Sequence, residues 1–128
     1  MNIANRSILS CATALLLGCA TATTTTQPAR IIDVDRDTYF KKIPYPEFFR
    51  EEFYVVWQGA NITLVKFEYR QLKFPNEIFA KSYVPTKRPS HVFEIPSADF
   101  LKGGHVSAWR VTLWQDDKIV DEKKSALW

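Results

Sequence analysis

Thr63-Leu64-Val65-Lys66-Phe67-Glu68-Tyr69-Arg70 is the stretch on which the fold turns. Val65, Phe67 and Tyr69 alternate with Lys66, Glu68 and Arg70, and successive side chains of an extended strand point to opposite faces. Beyond Leu64 the segment therefore has one face suited to a core and one charged face suited to water. The same period recurs in Trp109, Val111 and Leu113 against Arg110 and Thr112. Shorter β-branched or aromatic runs lie at Ile31 to Val34, Phe53 to Trp57, Ile78 to Val84 and Val92 to Ile95, separated by Pro, Gly, Asn and Ser. With Lys118 to Leu127 they make about seven strands, and no stretch sustains a helical period. Residues 30–128 are a normal length for one domain around one core. The expectation is an all-β chain folded as a single antiparallel β-sandwich.

Two connections can be written with a register. Gly59-Ala60 suits a two-residue turn with glycine at the first central position, which would pair Gln58 with Asn61 and Val55 with Leu64. Asp116-Asp117 would pair Gln115 with Lys118, Trp114 with Ile119, Leu113 with Val120 and Trp109 with Lys124. The last strand carries Asp121-Glu122-Lys123-Lys124, a charged run expected of an edge that must not pair with another chain. In the first hairpin Phe53, Val55, Trp57, Ile62 and Leu64 would share one face. Tyr54, Val56, Val65, Phe67 and Tyr69 would share the other, so both faces are apolar. A second apolar face needs a cover, and Tyr39 to Phe49 is the nearest candidate. It contains Tyr39, Phe40, Tyr45, Phe48 and Phe49 punctuated by Pro44 and Pro46, and Pro46 could open one helical turn. This segment is expected to fold over the sheet; the alternative is an exposed aromatic contact patch for a partner.

The order of short strands, with Gly103-Gly104 leading into a long strand, a tight turn and a terminal edge strand, resembles the closing half of immunoglobulin-like and fibronectin type III sandwiches. That architecture serves many unrelated functions. A second resemblance lies at the start of the chain. Leu16-Leu17-Gly18-Cys19 follows an apolar run and resembles the lipobox of bacterial lipoproteins. Ahead of it Arg6 forms a positive n-region, and Ser7 to Leu17 an apolar h-region too short to span a bilayer.

The lipoprotein resemblance implies cleavage after Gly18 and acylation of both the thiol and the new amine of Cys19. With Ala20 rather than Asp following, it also implies the outer membrane. Residues 1–18 are then a signal peptide, residues 19–29 the lipidated cysteine and a Thr-rich tether, and residues 30–128 the sandwich. About ten residues of coil reach roughly 15–20 Å, enough to hold a domain clear of lipid head groups. A competing site, Ala20-Thr21-Ala22, would instead release a soluble secreted or periplasmic protein. Cys11 leaves with the signal and Cys19 carries lipid, so the mature domain has no thiol for a disulfide, a nucleophile or a metal. Removing Arg6 from the 17 Lys and Arg leaves a formal +2 against 14 acids, too near balance to suggest nucleic acid or an anionic membrane face.

Residues that might carry chemistry are sparse. His91 and His105 stand beside strand starts with no neighbouring acid at catalytic spacing, and neither G-x-S-x-G nor H-E-x-x-H occurs. Asp33-x-Asp35-x-Asp37 opens like a calcium loop but has Thr38 and Pro44 where an EF-hand needs Gly and Glu. The three acids are expected to share the solvent face of a strand, opposite Ile32, Val34 and Arg36. Lys87-Arg88, between Pro85 and Pro89, reads as a solvated loop. Among the four tryptophans only Trp114 sits opposite the inward-pointing Leu113, where an exposed ring could stack on a sugar.

The functional expectation is a cell-envelope lipoprotein presenting a non-catalytic interaction or assembly module, with no catalytic residue, metal or cofactor. Its partners would be the membrane, through the anchor, and another envelope protein; Trp114, Tyr45, Phe48 and Phe49 are the candidate contact residues. The alternative is a glycan- or peptidoglycan-binding module, and an enzyme of unknown type ranks third.

Overall fold

The computed structural model describes the backbone of residues 27–41 and 48–128 and the side chains of residues 27–38 and 50–128. Cys19, the signal peptide, Tyr45 and the turn expected at Pro46 lie outside the described residues, as do the side chains of Phe48 and Phe49. The seven strands expected from the period-two segments are present: β1 (Arg30–Lys41), β2 (Phe48–Gln58), β3 (Leu64–Gln71), β4 (Phe74–Tyr83), β5 (Ser90–Ile95), β6 (Val106–Gln115) and β7 (Lys118–Lys124). They form two antiparallel sheets, β1-β2-β5 and β4-β3-β6-β7. The described residues form an all-β sandwich with one short helix, α1 (Ser97–Gly103), between β5 and β6.

The segment quoted first packs as its period requires. Val65, Phe67 and Tyr69 of β3 face Phe53, Val55 and Trp57 of β2 across the sandwich, joined by Phe93 and Ile95 from β5 and by Val111 and Leu113 from β6. The Phe67 ring lies 4.7 Å from Phe53, 5.3 Å from Tyr69 and 5.3 Å from Phe93, centroid to centroid. Trp109 also points inward, half-buried, 6.3 Å from Phe53. Offset and tilted aromatic pairs at these separations add to the energy of area burial alone.

The hairpin expected at Gly59-Ala60 does not form. Val55 pairs with Val34 and His91, whereas Leu64 pairs with Trp114, so β2 and β3 belong to opposite sheets. The two apolar faces that the hairpin would have produced are the physical reason. With the strands in facing sheets, each needs only one buried face, and no second face calls for a cover from Tyr39 to Phe49. Instead the described ends of that segment, residues 39–41 and 48–49, continue the β1–β2 pairing, Tyr39 with Arg50 and Lys41 with Phe48, as a two-stranded ribbon. The ribbon runs past Ile95, where β5 ends opposite Glu51. The crossover between sheets uses left-handed backbone at Gly59 (φ 112°) and Asn61 (φ 64°), and Thr63 N–H then donates to Trp114 O at 2.9 Å.

The second turn keeps its expected first pairs, Gln115 with Lys118 and Trp114 with Ile119. A bulge then shifts the register, so Leu113 faces Asp121 rather than Val120, and Lys124 faces Arg110 rather than Trp109. The shifted Asp121 carboxylate accepts the N–H of Ile31 at 2.7 Å, linking the charged edge strand β7 to β1. A bulge also alters β1: Ile31 is buried, whereas Ile32 is 41% exposed on the side expected for Asp33, Asp35 and Asp37, which are exposed.

Candidate functional site

Strand pairing gives the sandwich two distinct ends. Arg30 pairs with Gln58, so the chain enters at the end that carries the β2–β3 crossover and the β6–β7 turn. The other end carries the β1–β2 ribbon, the β3–β4 turn and α1. Here the apolar interior gives way to polar side chains at inward-facing positions.

Glu51 is the first. It continues the inward series of Phe53, Val55 and Trp57, and its side chain is fully buried. Arg36 on β1 donates to Glu51 Oε2 from Nε (3.0 Å) and Nη2 (2.6 Å), and Val106 N–H donates to Oε1 at 2.8 Å. Arg36 Nη2 also donates to Val106 O at 2.6 Å. Glu51 therefore clasps the three-stranded sheet to the start of β6 in the other sheet. His105, which has no neighbouring acid in the sequence, has Glu51 Oε2 3.4 Å from its Nδ1 and the Phe100 ring edge-on at 4.8 Å. The other histidine, His91, stacks on Tyr83 at 3.8 Å and meets Phe93 edge-on at 4.7 Å. Burial there holds its pKa below the ordinary histidine value of 6.5.

Gln71 is the second inward polar residue, ending the series of Val65, Phe67 and Tyr69. Its side-chain Nε2 donates to Asp99 O (3.1 Å) and Gly104 O (3.0 Å), tying β3 to α1 and fixing which way the amide points. A Cβ on Gly103 would meet this carboxamide closer than 3.0 Å, so the glycine lets α1 approach while Gln71 keeps its two bonds. Beside Gln71 a cavity of about 260 Å³ opens between α1 and the β3–β4 hairpin. Tyr69, Phe74 and Phe79 wall it; the Tyr69 ring stacks on Phe79 at 5.4 Å, and Phe74 meets Phe79 edge-on at 6.2 Å. Glu77, Asp99 and Lys102, all exposed, form its rim. Burial, and then the Asp99 carboxylate, push the Tyr69 phenol above its ordinary value of 10.0, so it stays protonated.

Trp114 lies on the outer face of the four-stranded sheet, as its phase implies, but it is half-buried and its indole N–H donates to Thr112 Oγ1 at 2.9 Å. Further along that face Arg110 donates to Glu68 from Nε and Nη2 (3.0 and 2.8 Å) and to Glu122 from Nη1 (3.0 Å). The guanidinium groups of Arg70 and Arg110 stand 4.8 and 5.7 Å from the Trp128 ring. The chain end reaches this face through Ser125, which exchanges bonds with the Trp109 backbone.

The sequence reading missed both the Glu51 clasp and the Tyr69–Gln71 cavity. The signal that could have found them is a polar residue in phase with an apolar series: Glu51 with Phe53, Val55 and Trp57, and Gln71 with Val65, Phe67 and Tyr69. Among the described residues no three His, Cys, Asp or Glu side chains converge as metal ligands, and no helix is long and apolar enough to cross a membrane. Comparison with protein-family models, curated proteins and solved structures returns no match.

Proposed function

We propose that this chain is a lipid-anchored protein of the bacterial cell envelope, and that its sandwich is a non-catalytic module for engaging another envelope component. The observation that carries the reading is Leu16-Leu17-Gly18-Cys19 followed by a polar Thr-rich stretch. The position of chain entry supports it. A tether arriving at Arg30 reaches the sandwich at one end, and at about 3.3 Å per residue β1 carries the chain about 25 Å further by Thr38. An anchor at Cys19 would therefore hold the ribbon, the Glu51 clasp and the Tyr69–Gln71 cavity on the side away from the lipid. Acyl chains contribute about 0.8 kcal/mol per buried methylene, so several together give stable anchoring where one alone gives only marginal binding.

The test is metabolic labelling with a fatty acid, followed by fractionation. The wild-type chain should take up label and sediment with membranes, while Cys19→Ala should do neither. An unlabelled wild-type chain, with Cys19→Ala still found in the membrane fraction, would overturn the anchor.

A further inference from the structure

The cavity beside α1 has the chemistry of a receptor for a positively charged group. Two of its wall residues are almost fully buried yet have unused hydrogen-bonding capacity. Tyr69 is 4% exposed, and its hydroxyl bonds to no described residue. Gln71 is 3% exposed, and although its Nε2 is doubly used, its Oε1 has no donor among the described residues. Both line the cavity. Both oxygens open on the cavity instead of being sealed in the core, so on these nearly buried side chains they are left to bond whatever enters it, and together on one wall they mark a place where a donor from outside fits.

The sign of the ligand follows from the surroundings. Glu77 and Asp99 at the rim outnumber Lys102, giving the mouth a net formal charge of −1. The Tyr69 ring stacks on both Phe67 and Phe79, so what it offers the cavity is its hydroxyl, while Phe74 and Phe79 add an apolar wall that suits the methylenes of an amine-bearing chain. An anion would meet two carboxylates and the Gln71 carbonyl oxygen, with only the Tyr69 hydroxyl and Lys102 able to donate to it. At about 260 Å³ the space lies just below the range typical of drug-sized ligands and suits a group about the size of one amino-acid side chain.

We propose that this cavity binds an ammonium or guanidinium group, whose N–H donors meet Gln71 Oε1 and the Tyr69 hydroxyl while Asp99 and Glu77 balance its charge. This deepens the interaction-module reading by naming the group recognised. The same chemistry is offered by a free organic amine and by a lysine or arginine side chain of a protein partner.

The experiment is an NMR titration of the purified full chain in detergent with three probes: cadaverine, the peptide acetyl-Gly-Lys-Gly-amide, and its neutral norleucine analogue. Binding is read at the backbone amides of Tyr69 to Phe79 and does not depend on whether Cys19 is lipidated, so it fails or succeeds separately from the anchor. Saturable binding of cadaverine alone identifies a free organic cation as the ligand, and binding of the lysine peptide identifies a basic side chain. In either case Tyr69→Phe, which keeps the rings, and Asp99→Asn, at an exposed position, should each weaken binding at least about tenfold, while Lys102→Met should not weaken it. The proposal is overturned if neither cationic probe binds at millimolar concentration, if the norleucine peptide binds equally well, or if Tyr69→Phe and Asp99→Asn both leave the affinity unchanged.

Discussion

Replacing Arg36 with Met should cost more stability than replacing Glu51 with Gln, although the two residues form one ion pair. The asymmetry comes from their burial: the Arg36 side chain is 40% exposed, whereas Glu51 is 0% exposed. Arg36→Met leaves a carboxylate sealed in the interior with only Val106 N–H at 2.8 Å and the longer His105 Nδ1 contact at 3.4 Å, a loss of about 3–5 kcal/mol by analogy with broken buried pairs. Glu51→Gln instead leaves a guanidinium that can turn into water and an amide oxygen that still accepts from Val106. The expected cost is the lesser one of an imperfectly matched hydrogen bond, about 1–3 kcal/mol. Equilibrium urea unfolding reads the difference directly. With a slope of about 1–3 kcal/mol per molar for a domain of this size, Arg36→Met should move the midpoint on the order of 2 M. The double variant Arg36→Met/Glu51→Leu removes both charges and should be at least about 1 kcal/mol more stable than the sum of the single losses predicts, using Glu51→Leu as its second single. Arg36→Met within about 0.5 kcal/mol of wild type would refute the reasoning, as would additive single losses, because either result means the buried carboxylate does not depend on its partner.

Three further outcomes follow from the packing. Phe67→Ala, in the ring cluster with Phe53, Tyr69 and Phe93, should lower unfolding free energy by about 3–5 kcal/mol, while Lys66→Ala on the outer face should change it little. Gly59→Ala should destabilise by more than about 1 kcal/mol in the same assay, because it forces a side chain into φ 112° and would set a Cβ 2.6 Å from Ala29 Cα. His91 has a lowered pKa in the folded state, so the unfolded chain binds its proton more readily. Its contribution to stability is therefore complete above the unfolded value of 6.5 and declines as pH falls below it. The pH dependence of unfolding in that window should be reduced in His91→Gln.

Much of the fold was legible because alternation reports which face of a strand is buried, and Val65, Phe67, Tyr69, Val111 and Leu113 all point where their phase implies. What alternation does not report is which strand sits beside which. Gly59-Ala60 reads locally as a hairpin turn, yet the same glycine serves a crossover between sheets, and the choice between them was made by the need to bury Phe53 against Phe67. Bulges are silent for a similar reason: one extra residue at Ile32 or Val120 shifts the phase without changing composition. The helix α1 is seven residues long and buries Phe100 and Gly103, too little for a helical period to show. Its Gly103-Gly104 reads equally well as the start of a strand.

The two polar intrusions into the core share one end of the sandwich, and the strand order explains why. Glu51 is paired with Ile95, the last residue of β5, and Gln71 with Val106, the first of the paired residues of β6; α1 spans the gap between those two positions. At that end the sheets are not closed by apolar side chains alone but by a short helix held through polar contacts: Gln71 grips its backbone, and Glu51 grips the strand that follows it. Apolar packing tolerates few gaps, whereas a seam made from carboxylate, amide and phenol groups leaves room beside it and presents directional atoms to whatever enters. The opposite end, where the chain arrives at Arg30, is tied by Pro28 O accepting from Gln58 and by the close approach of Ala29 to Gly59. The sandwich thus receives the chain at one end and carries its polar, directional groups at the other, the arrangement that the proposed anchor at Cys19 would need for those groups to face away from the lipid.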